Sequence, residues 1–113
     1  MTEKITLCQL DEIEDGKAKG FEVGDKPIFA VHKDGEYFIY QNKCPHLQIE
    51  LEWMPNQFLD MDGELIHCST HGALFLIDSG ECVSGPCLGE KLTVIKHTVE
   101  NNSLMVAANL GLD

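Results

Sequence analysis

The chain has 113 residues and a formal net charge of −11, from 8 basic residues, all of them Lys, against 19 Asp and Glu. This length predicts a single domain. The acidic balance excludes nucleic acid and anionic membranes as partners, because both attract clustered positive charge. No apolar run is long enough to cross a bilayer and the first residues lack a signal-peptide core, so we expect a cytoplasmic protein whose thiols stay reduced.

Short strands separated by Gly, Asp and Asn turns follow one another along the chain. The predicted strands are Ile5–Leu10, Lys17–Val23, Pro27–Lys33, Glu36–Tyr40, Phe58–Met61, Glu64–Cys68, Leu74–Ile77, Lys91–Val99 and Leu104–Ala108. Tight hairpin turns are indicated at Asp34-Gly35, Asp62-Gly63 and Asn101-Asn102. The segment 11–16 is acidic and turn-like, without a helical period. This pattern predicts an antiparallel all-β domain.

Two short segments carry metal-ligand chemistry. The first reads Cys44-Pro45-His46 and the second Cys68-Ser69-Thr70-His71, with residues 47–67 between them. Two Cys and two His on two loops predict a metal site of mixed softness. A structural zinc site in an interaction module without redox function is one alternative. Zinc fingers usually pair Cys with Cys and His with His, whereas here each segment offers one of each.

Cys-x-His followed by Cys-x-x-His-Gly resembles the ligand pattern of the small soluble Rieske-type [2Fe–2S] ferredoxins. The resemblance covers about residues 37–99, and the spacer between the two loops is longer than the family's. It implies that Cys44 and Cys68 hold one iron of a single [2Fe–2S] cluster and that His46 and His71 hold the other. It also implies a Rieske-like antiparallel β-sandwich of small sheets, with an inserted cluster-binding subdomain at about 41–86.

Three further residues are implied to surround the cluster. Gly85-Pro86 resembles the proline-bearing loop that covers the cluster in this family: Gly allows close backbone approach and Pro makes the cover rigid. Gly72 directly follows the second predicted His ligand. A residue without a Cβ there leaves room for backbone N–H groups to reach the cluster sulfides.

Two departures from the high-potential members of the family bear on the reduction potential. Those proteins carry a Ser and a Tyr after the second His, where this chain has Ala73 and Phe75. They also tie the two loops with a disulfide, where this chain has Ile49 and Thr70. Fewer hydrogen-bond donors and a negative surround disfavour adding an electron. We therefore expect a potential at the low end of the Rieske range, roughly −150 mV.

The resemblance implies a one-electron carrier rather than an enzyme. It would pass electrons from an NAD(P)H flavoprotein reductase to a terminal oxygenase, a ring-hydroxylating or related Rieske-type enzyme. The alternative within redox biology is a small redox subunit of a larger enzyme such as nitrite reductase. The chain has no room for a mononuclear iron site with a substrate pocket.

The charge around the predicted site indicates the kind of partner. From residue 44 to 90 the acidic residues are Glu50, Glu52, Asp60, Asp62, Glu64, Asp78, Glu81 and Glu90, and the stretch contains no Lys. If these acidic residues surround the cluster, they would attract partners with a basic surface into brief, salt-sensitive encounters. A solvated acidic surface that only promotes solubility is the simpler interpretation.

The remaining His and Cys residues are predicted to be structural. His32 and His97 share strand faces with apolar residues, and we expect both to be hydrogen-bonded within the fold. His67 precedes Cys68 and points to the other side of its strand. Cys8 is expected to be a small buried apolar residue. A disulfide between Cys82 and Cys87 is disfavoured in the cytosol.

Overall fold

The structure, a computed structural model, describes residues 3–43, 58–60, 63–68, 72–85 and 88–110. The elements in these ranges are β1 (Lys4–Gln9), a 3₁₀ turn (Leu10–Glu12), β2 (Lys17–Val23), β3 (Lys26–Lys33), β4 (Glu36–Gln41), β5 (Leu65–His67), β6 (Leu74–Leu76), β7 (Cys82–Ser84), β8 (His97–Glu100) and β9 (Ser103–Ala107). None of the described residues belongs to a helix long and apolar enough to cross a bilayer.

The nine strands form three antiparallel sheets of three strands each. Their orders are β1-β9-β8, β2-β3-β4 and β5-β6-β7, which confirms the predicted antiparallel all-β class. Two hairpins close as their turn residues predicted. Asp34 and Gly35 have φ of 53° and 80°, and Asn101 and Asn102 have φ of 50° and 63°. Two successive left-handed residues are what a two-residue type I′ hairpin requires.

The middle sheet, β2-β3-β4, buries both of its faces. One face contributes to the base core, made of Cys8, Ile13, Ile28, Ala30, Ile39, Ile95, Leu104, Val106 and Leu110. The other contributes to the site core, made of Phe29, Val31, Tyr40, Phe58, Ile66, Cys68, Ala73, Phe75, Ile77, Cys82 and Leu92. Residues 28–31 of β3 alternate between the two cores and are all 0% exposed. This explains why β3 is a continuous apolar run, since a strand covered on both sides needs no polar face.

The predicted strand Lys91–Val99 is wrong over residues 91–96, six of its nine positions. The regular strand there is β8, which begins at His97, and upstream of it Lys91 and Val94 make only isolated bridges, to Glu81 and Tyr40. The physical reason is that residues 92–95 pass from the site core to the base core, so they do not stay paired along one sheet. Leu92 is buried in the site core, whereas Ile95, three residues later, is buried in the base core.

Strand β7 (Cys82–Ser84) was not among the predicted strands. It forms against β6, with Phe75 opposite Cys82 and Leu74 opposite Ser84, and the register shifts between these two pairs. Cys82 is buried, whereas Val83 and Ser84 are exposed. A three-residue strand with a shifted register has no alternation long enough to be recognised in the sequence.

The structural roles of Cys8 and His32 are confirmed. Cys8 is 5% exposed and belongs to the base core, and burial is the main cause that raises the pKa of its thiol. Nδ1 of His32 lies 2.8 Å from the carbonyl oxygen of Ile13, and its ring stacks on Tyr37 at 4.2 Å. His97 is partly buried on β8, and burial lowers the pKa of its imidazole.

Candidate metal centre

The second ligand segment lies at the end of the β5–β6 hairpin. In this hairpin His67 of β5 is opposite Leu74 of β6, and Cys68 directly follows β5. The backbone N–H of Cys68 donates to the carbonyl of Ala73 at 2.8 Å, and the N–H of Gly72 donates to the carbonyl of Cys68 at 2.8 Å. The side chain of Cys68 is 0% exposed. The hairpin therefore fixes the backbone of Cys68 while its thiol faces the site core.

Gly72 is required by its backbone conformation. Its φ is +69°, and a Cβ built on it would have no neighbour within 4 Å. A side chain would therefore fit in space, but the left-handed φ disfavours any residue except glycine. The expectation that Gly72 leaves room for backbone N–H groups to reach the cluster sulfides stays a prediction. The N–H of Gly72 itself donates to the backbone carbonyl of Cys68.

Gly85 packs closely against this hairpin. A Cβ built at Gly85 would lie 2.7 Å from Cα of Ala73 and 3.1 Å from its Cβ, and its φ is +102°. Only glycine fits such a distance to a neighbouring backbone. Pro86 lies outside the described residues, so the covering role of the Gly85-Pro86 pair stays a prediction.

The first ligand segment starts from a well-anchored stem at the end of β4. The N–H of Gln41 donates to Thr93, that of Asn42 to Pro27 and that of Lys43 back to Gln41, each at 2.9 Å. Asn42 is 2% exposed. Backbone hydrogen bonds thus fix the chain from Gln41 to Lys43, the residue before Cys44.

Phe58 lies in the spacer between the two ligand segments and is buried in the site core. Its ring is 0% exposed and stacks on Phe29, with centroids 4.4 Å apart and planes at 7°. The N–H of His67 donates to the carbonyl of Phe58 at 2.8 Å, and Leu59 makes an isolated bridge to Ile66. The N–H of Asp60 donates to the carbonyl of Leu65 at 2.9 Å. The predicted segment 58–61 therefore pairs antiparallel with β5 over its described residues, 58–60, as an isolated bridge rather than a regular strand; Met61 lies outside the described residues.

Of the four predicted ligands, Cys68 alone falls within the described residues. Cys44, His46 and His71 lie outside them. Ile49 and Thr70, where no disulfide was expected, and Cys87, whose disulfide with Cys82 was disfavoured, also lie outside them. Among the residues that the structure describes, no three His, Cys, Asp or Glu side chains gather as a metal site would require. The described residues supply the buried Cys68 at the fixed end of the hairpin, and Gly85 packed closely against Ala73 of the same hairpin. This arrangement suits a cluster that is held between two loops.

The surface near this hairpin is acidic with two exposed apolar residues. Asp78, Glu81 and Glu90 are exposed, and Val83 and Leu88 are 43% and 64% exposed. In the same half of the protein, Glu64 is paired with Lys33 at 3.4 Å. Exposed acidic and exposed apolar residues therefore occur together in the segment 78–90.

Sequence reasoning missed the role of Tyr40. This side chain is 2% exposed, and its hydroxyl donates to the carbonyl of Ile77 at 2.5 Å. Gly80 packs against its ring, since a Cβ at Gly80 would lie 2.8 Å from Cε1 of Tyr40. The available signal was a hydroxyl-bearing residue at the buried end of an otherwise apolar strand, because buried hydroxyls need a partner.

Comparison with known proteins gives a consistent result. The family model described as the Rieske [2Fe–2S] domain matches residues 3–104. The chain is 28% identical over 99 residues to the biphenyl dioxygenase ferredoxin subunit of Pseudomonas sp. strain KKS102, covering 88% of this chain and 86% of that protein. It is 29% identical over 82 residues to the ferredoxin component of the alkene monooxygenase system of Xanthobacter autotrophicus, covering 73% of this chain and 64% of that protein.

Solved structures give the same fold. The ferredoxin of carbazole 1,9a-dioxygenase from Nocardioides aromaticivorans IC177 superposes with a TM-score of 0.76. The match covers 94% of this chain and 98% of that ferredoxin, at 19% sequence identity. At this identity the likeness establishes the arrangement of the small sheets and nothing about partners.

Proposed function

Because the chain belongs to the Rieske [2Fe–2S] domain family, we propose that it carries single electrons from an NAD(P)H flavoprotein reductase to a terminal oxygenase. The observation that carries this proposal is the extent of the family match, residues 3–104 of 113. The two relatives described above are ferredoxin components of oxygenase systems. Family membership also settles the metal: the cofactor is one [2Fe–2S] cluster, and the zinc alternative is set aside.

We assign Cys44, His46, Cys68 and His71 as the four ligands of this cluster, and residues 41–86 as the subdomain that holds it. When bound, the cluster takes up and returns one electron, and its two neutral imidazole ligands raise its reduction potential. The support from the described residues is the buried position of Cys68 at the fixed end of the β5–β6 hairpin. We also place the protein in the cytoplasm, together with its NAD(P)H-dependent donor.

The chain's own residues exclude water from one side of the proposed site. Cys68, Ala73 and Phe75 are each 0% exposed and all belong to the site core. Neither Ala73 nor Phe75 carries a side-chain hydroxyl that could donate a hydrogen bond to a cluster sulfur. The apolar surround therefore gives no help to an added negative charge, which supports a potential at the low end of the family range.

Introducing donors at these two positions is expected to raise the potential. The double variant Ala73→Ser, Phe75→Tyr should raise it by about 50–100 mV, on the basis of roughly 1 kcal/mol of preferential stabilisation of the reduced form per hydrogen bond. Phe38→Tyr is the matched control, because it adds a hydroxyl at a partly buried position that packs on the same core. An unchanged or lowered potential in the double variant, by electrochemical titration, would contradict this account.

The carrier role is tested with purified components. We expect two irons and two acid-labile sulfides per chain, a visible spectrum that bleaches on reduction, and NADH-dependent reduction by the reductase of a biphenyl dioxygenase system. One zinc and no sulfide, or a cluster that neither the reductase nor the oxygenase of such a system exchanges electrons with, would overturn the proposal.

We further propose that both partners present a basic face to the exposed acidic residues. Raising the ionic strength from 0.05 to 0.5 M is then expected to slow the bimolecular electron transfer by about tenfold. At low salt the double variant Glu81→Gln, Glu90→Gln should slow it several-fold. Glu22→Gln, an exposed position on β2 of the base, is the control and should leave the rate unchanged. Equal rates in all variants would leave the acidic surface with solubility as its role.

A further inference from the structure

The two proposed ligand pairs come from different sheets. Cys44 and His46 follow β4 of the middle sheet, whereas Cys68 and His71 fall between β5 and β6 of the third sheet. A cluster held from both sides requires these two sheets to keep a fixed separation. Apolar packing in the site core favours association of the two sheets. It does not by itself fix their relative position, because the hydrophobic effect is non-directional.

A directional contact between the two sheets is the hydrogen bond of Tyr40. Its backbone lies in β4, four residues before Cys44, and its hydroxyl donates to the carbonyl of Ile77, directly after β6. The bond is buried, at 2.5 Å. Burial raises the pKa of Tyr40 to about 12, so the hydroxyl keeps the proton it donates throughout the physiological range.

The ring of Tyr40 is confined as well as bonded. A Cβ at Gly80 would lie 2.8 Å from its Cε1 and 3.3 Å from Cβ of Leu92. Gly80 itself is held in place, because its carbonyl accepts from the N–H of Leu92 at 2.9 Å. Since Gly80 and Ile77 belong to the same turn after β6, the turn contacts Tyr40 both at the hydroxyl and along the ring.

We propose that Tyr40 is a positioning residue that sets the distance between the two ligand-bearing sheets and thereby the geometry of the cluster site. This inference rests on the ligand assignment proposed above. In this proposal Tyr40 acts on the cluster site through β4, which precedes the first ligand loop, and β6, which follows the second.

Tyr37 provides a matched control on the same strand. Its hydroxyl also donates to a backbone carbonyl, that of Leu10, at 2.8 Å. Tyr37 packs against the base core, on the side of the middle sheet away from the β5–β6 hairpin. Tyr37→Phe and Tyr40→Phe therefore remove the same kind of bond, but only the second removes a link to the sheet that carries Cys68.

The test compares the two variants as cluster-loaded proteins, after iron and sulfide have been counted in the unmodified chain. We expect Tyr40→Phe to lose its visible absorbance in the presence of a chelator about tenfold faster than the unmodified protein, the factor that corresponds to one lost hydrogen bond. We also expect its reduced-state EPR signal to broaden or shift. Tyr37→Phe should lower the thermal midpoint and leave the EPR signal and the rate of cluster loss unchanged.

A second pair of variants tests the same contact from the other side. Gly80→Ala displaces the ring while keeping the hydroxyl, and Gly24→Ala is its control, because Gly24 also has a positive φ but no neighbour within 4 Å of a Cβ. Gly80→Ala should reproduce the EPR change and Gly24→Ala should not.

The outcomes separate this inference from the function on which it rests. Identical EPR signals and equal rates of cluster loss in Tyr40→Phe and Tyr37→Phe would overturn the positioning role and leave the carrier role standing. An unmodified chain without iron and sulfide would overturn both.

Discussion

Replacing Cys68 by Ala is expected to abolish the iron–sulfur cluster. The thiol is 0% exposed and lies where the backbone is fixed by two hydrogen bonds of the hairpin end, so neither water nor a neighbouring side chain can take its place without rearrangement of the hairpin. Iron and sulfide content should fall to background and the visible absorbance should disappear. Because binding free energy of a metal centre is also folding free energy, the thermal midpoint should fall by more than ~10 °C.

Two other buried cysteines serve as controls for this variant. Cys8 lies in the base core and Cys82 on β7, 5% and 6% exposed. Cys8→Ala and Cys82→Ala remove the same atom, at a cost of about 1 kcal/mol, which corresponds to roughly 4–8 °C in a domain of this size. Both should keep two irons per chain. A Cys68→Ala protein that retains the cluster, or a Cys8→Ala protein that loses it, would contradict the ligand assignment.

Replacing Gly85 by Ala is expected to have the second largest effect. The added Cβ would meet Cα of Ala73 at 2.7 Å, a backbone atom that cannot move without moving the hairpin, and the residue has φ of +102°. The left-handed conformation alone costs about 1–2 kcal/mol for a residue with a Cβ. The clash adds strain of about 1–3 kcal/mol, so the total loss of unfolding free energy should be roughly 2–5 kcal/mol.

Gly89→Ala separates these two contributions. Gly89 has a similar φ of +91°, but a Cβ there would have nothing within 4 Å. It should therefore show the conformational cost alone, about 1–2 kcal/mol by chemical unfolding. If Gly85 holds the covering loop, only Gly85→Ala should also make the reduced cluster more sensitive to oxygen. Equal destabilisation in the two variants would mean that the contact between Gly85 and Ala73 is not constraining.

The parts of the fold that were predictable depend on local chemistry. β2 was predicted with its observed bounds, Lys17–Val23, because a Gly-Asp turn ends it. The hairpins at Asp34-Gly35 and Asn101-Asn102 follow from residues that tolerate positive φ. The two ligand segments resemble those of the Rieske-type ferredoxins, and the family match confirms the family; the four ligand positions stay a prediction.

The parts that were missed depend on contacts distant in sequence. The segment from Leu92 to Ile95 contributes to two different cores, and nothing in its apolar spacing says which core each residue enters. The same holds for Tyr40, whose partner Ile77 is 37 positions away. The close approach of Gly85 to Ala73 depends on the register of β7 against β6, which three residues cannot specify on their own.

The middle sheet, β2-β3-β4, is covered by a core on each face, so the region 41–86 cannot be exchanged independently of the rest of the protein. Ile28 and Phe29 are neighbours in the chain but belong to opposite cores. If the region 41–86 were removed, Phe29 and Val31 of β3 would face water in the protein that remains. If the region were grafted onto another scaffold, its own apolar residues would lack the contacts that Phe29 and Val31 provide. The region proposed to bear the cluster is thus transferable only together with β3, and sequence changes in β3 are constrained by both cores at once.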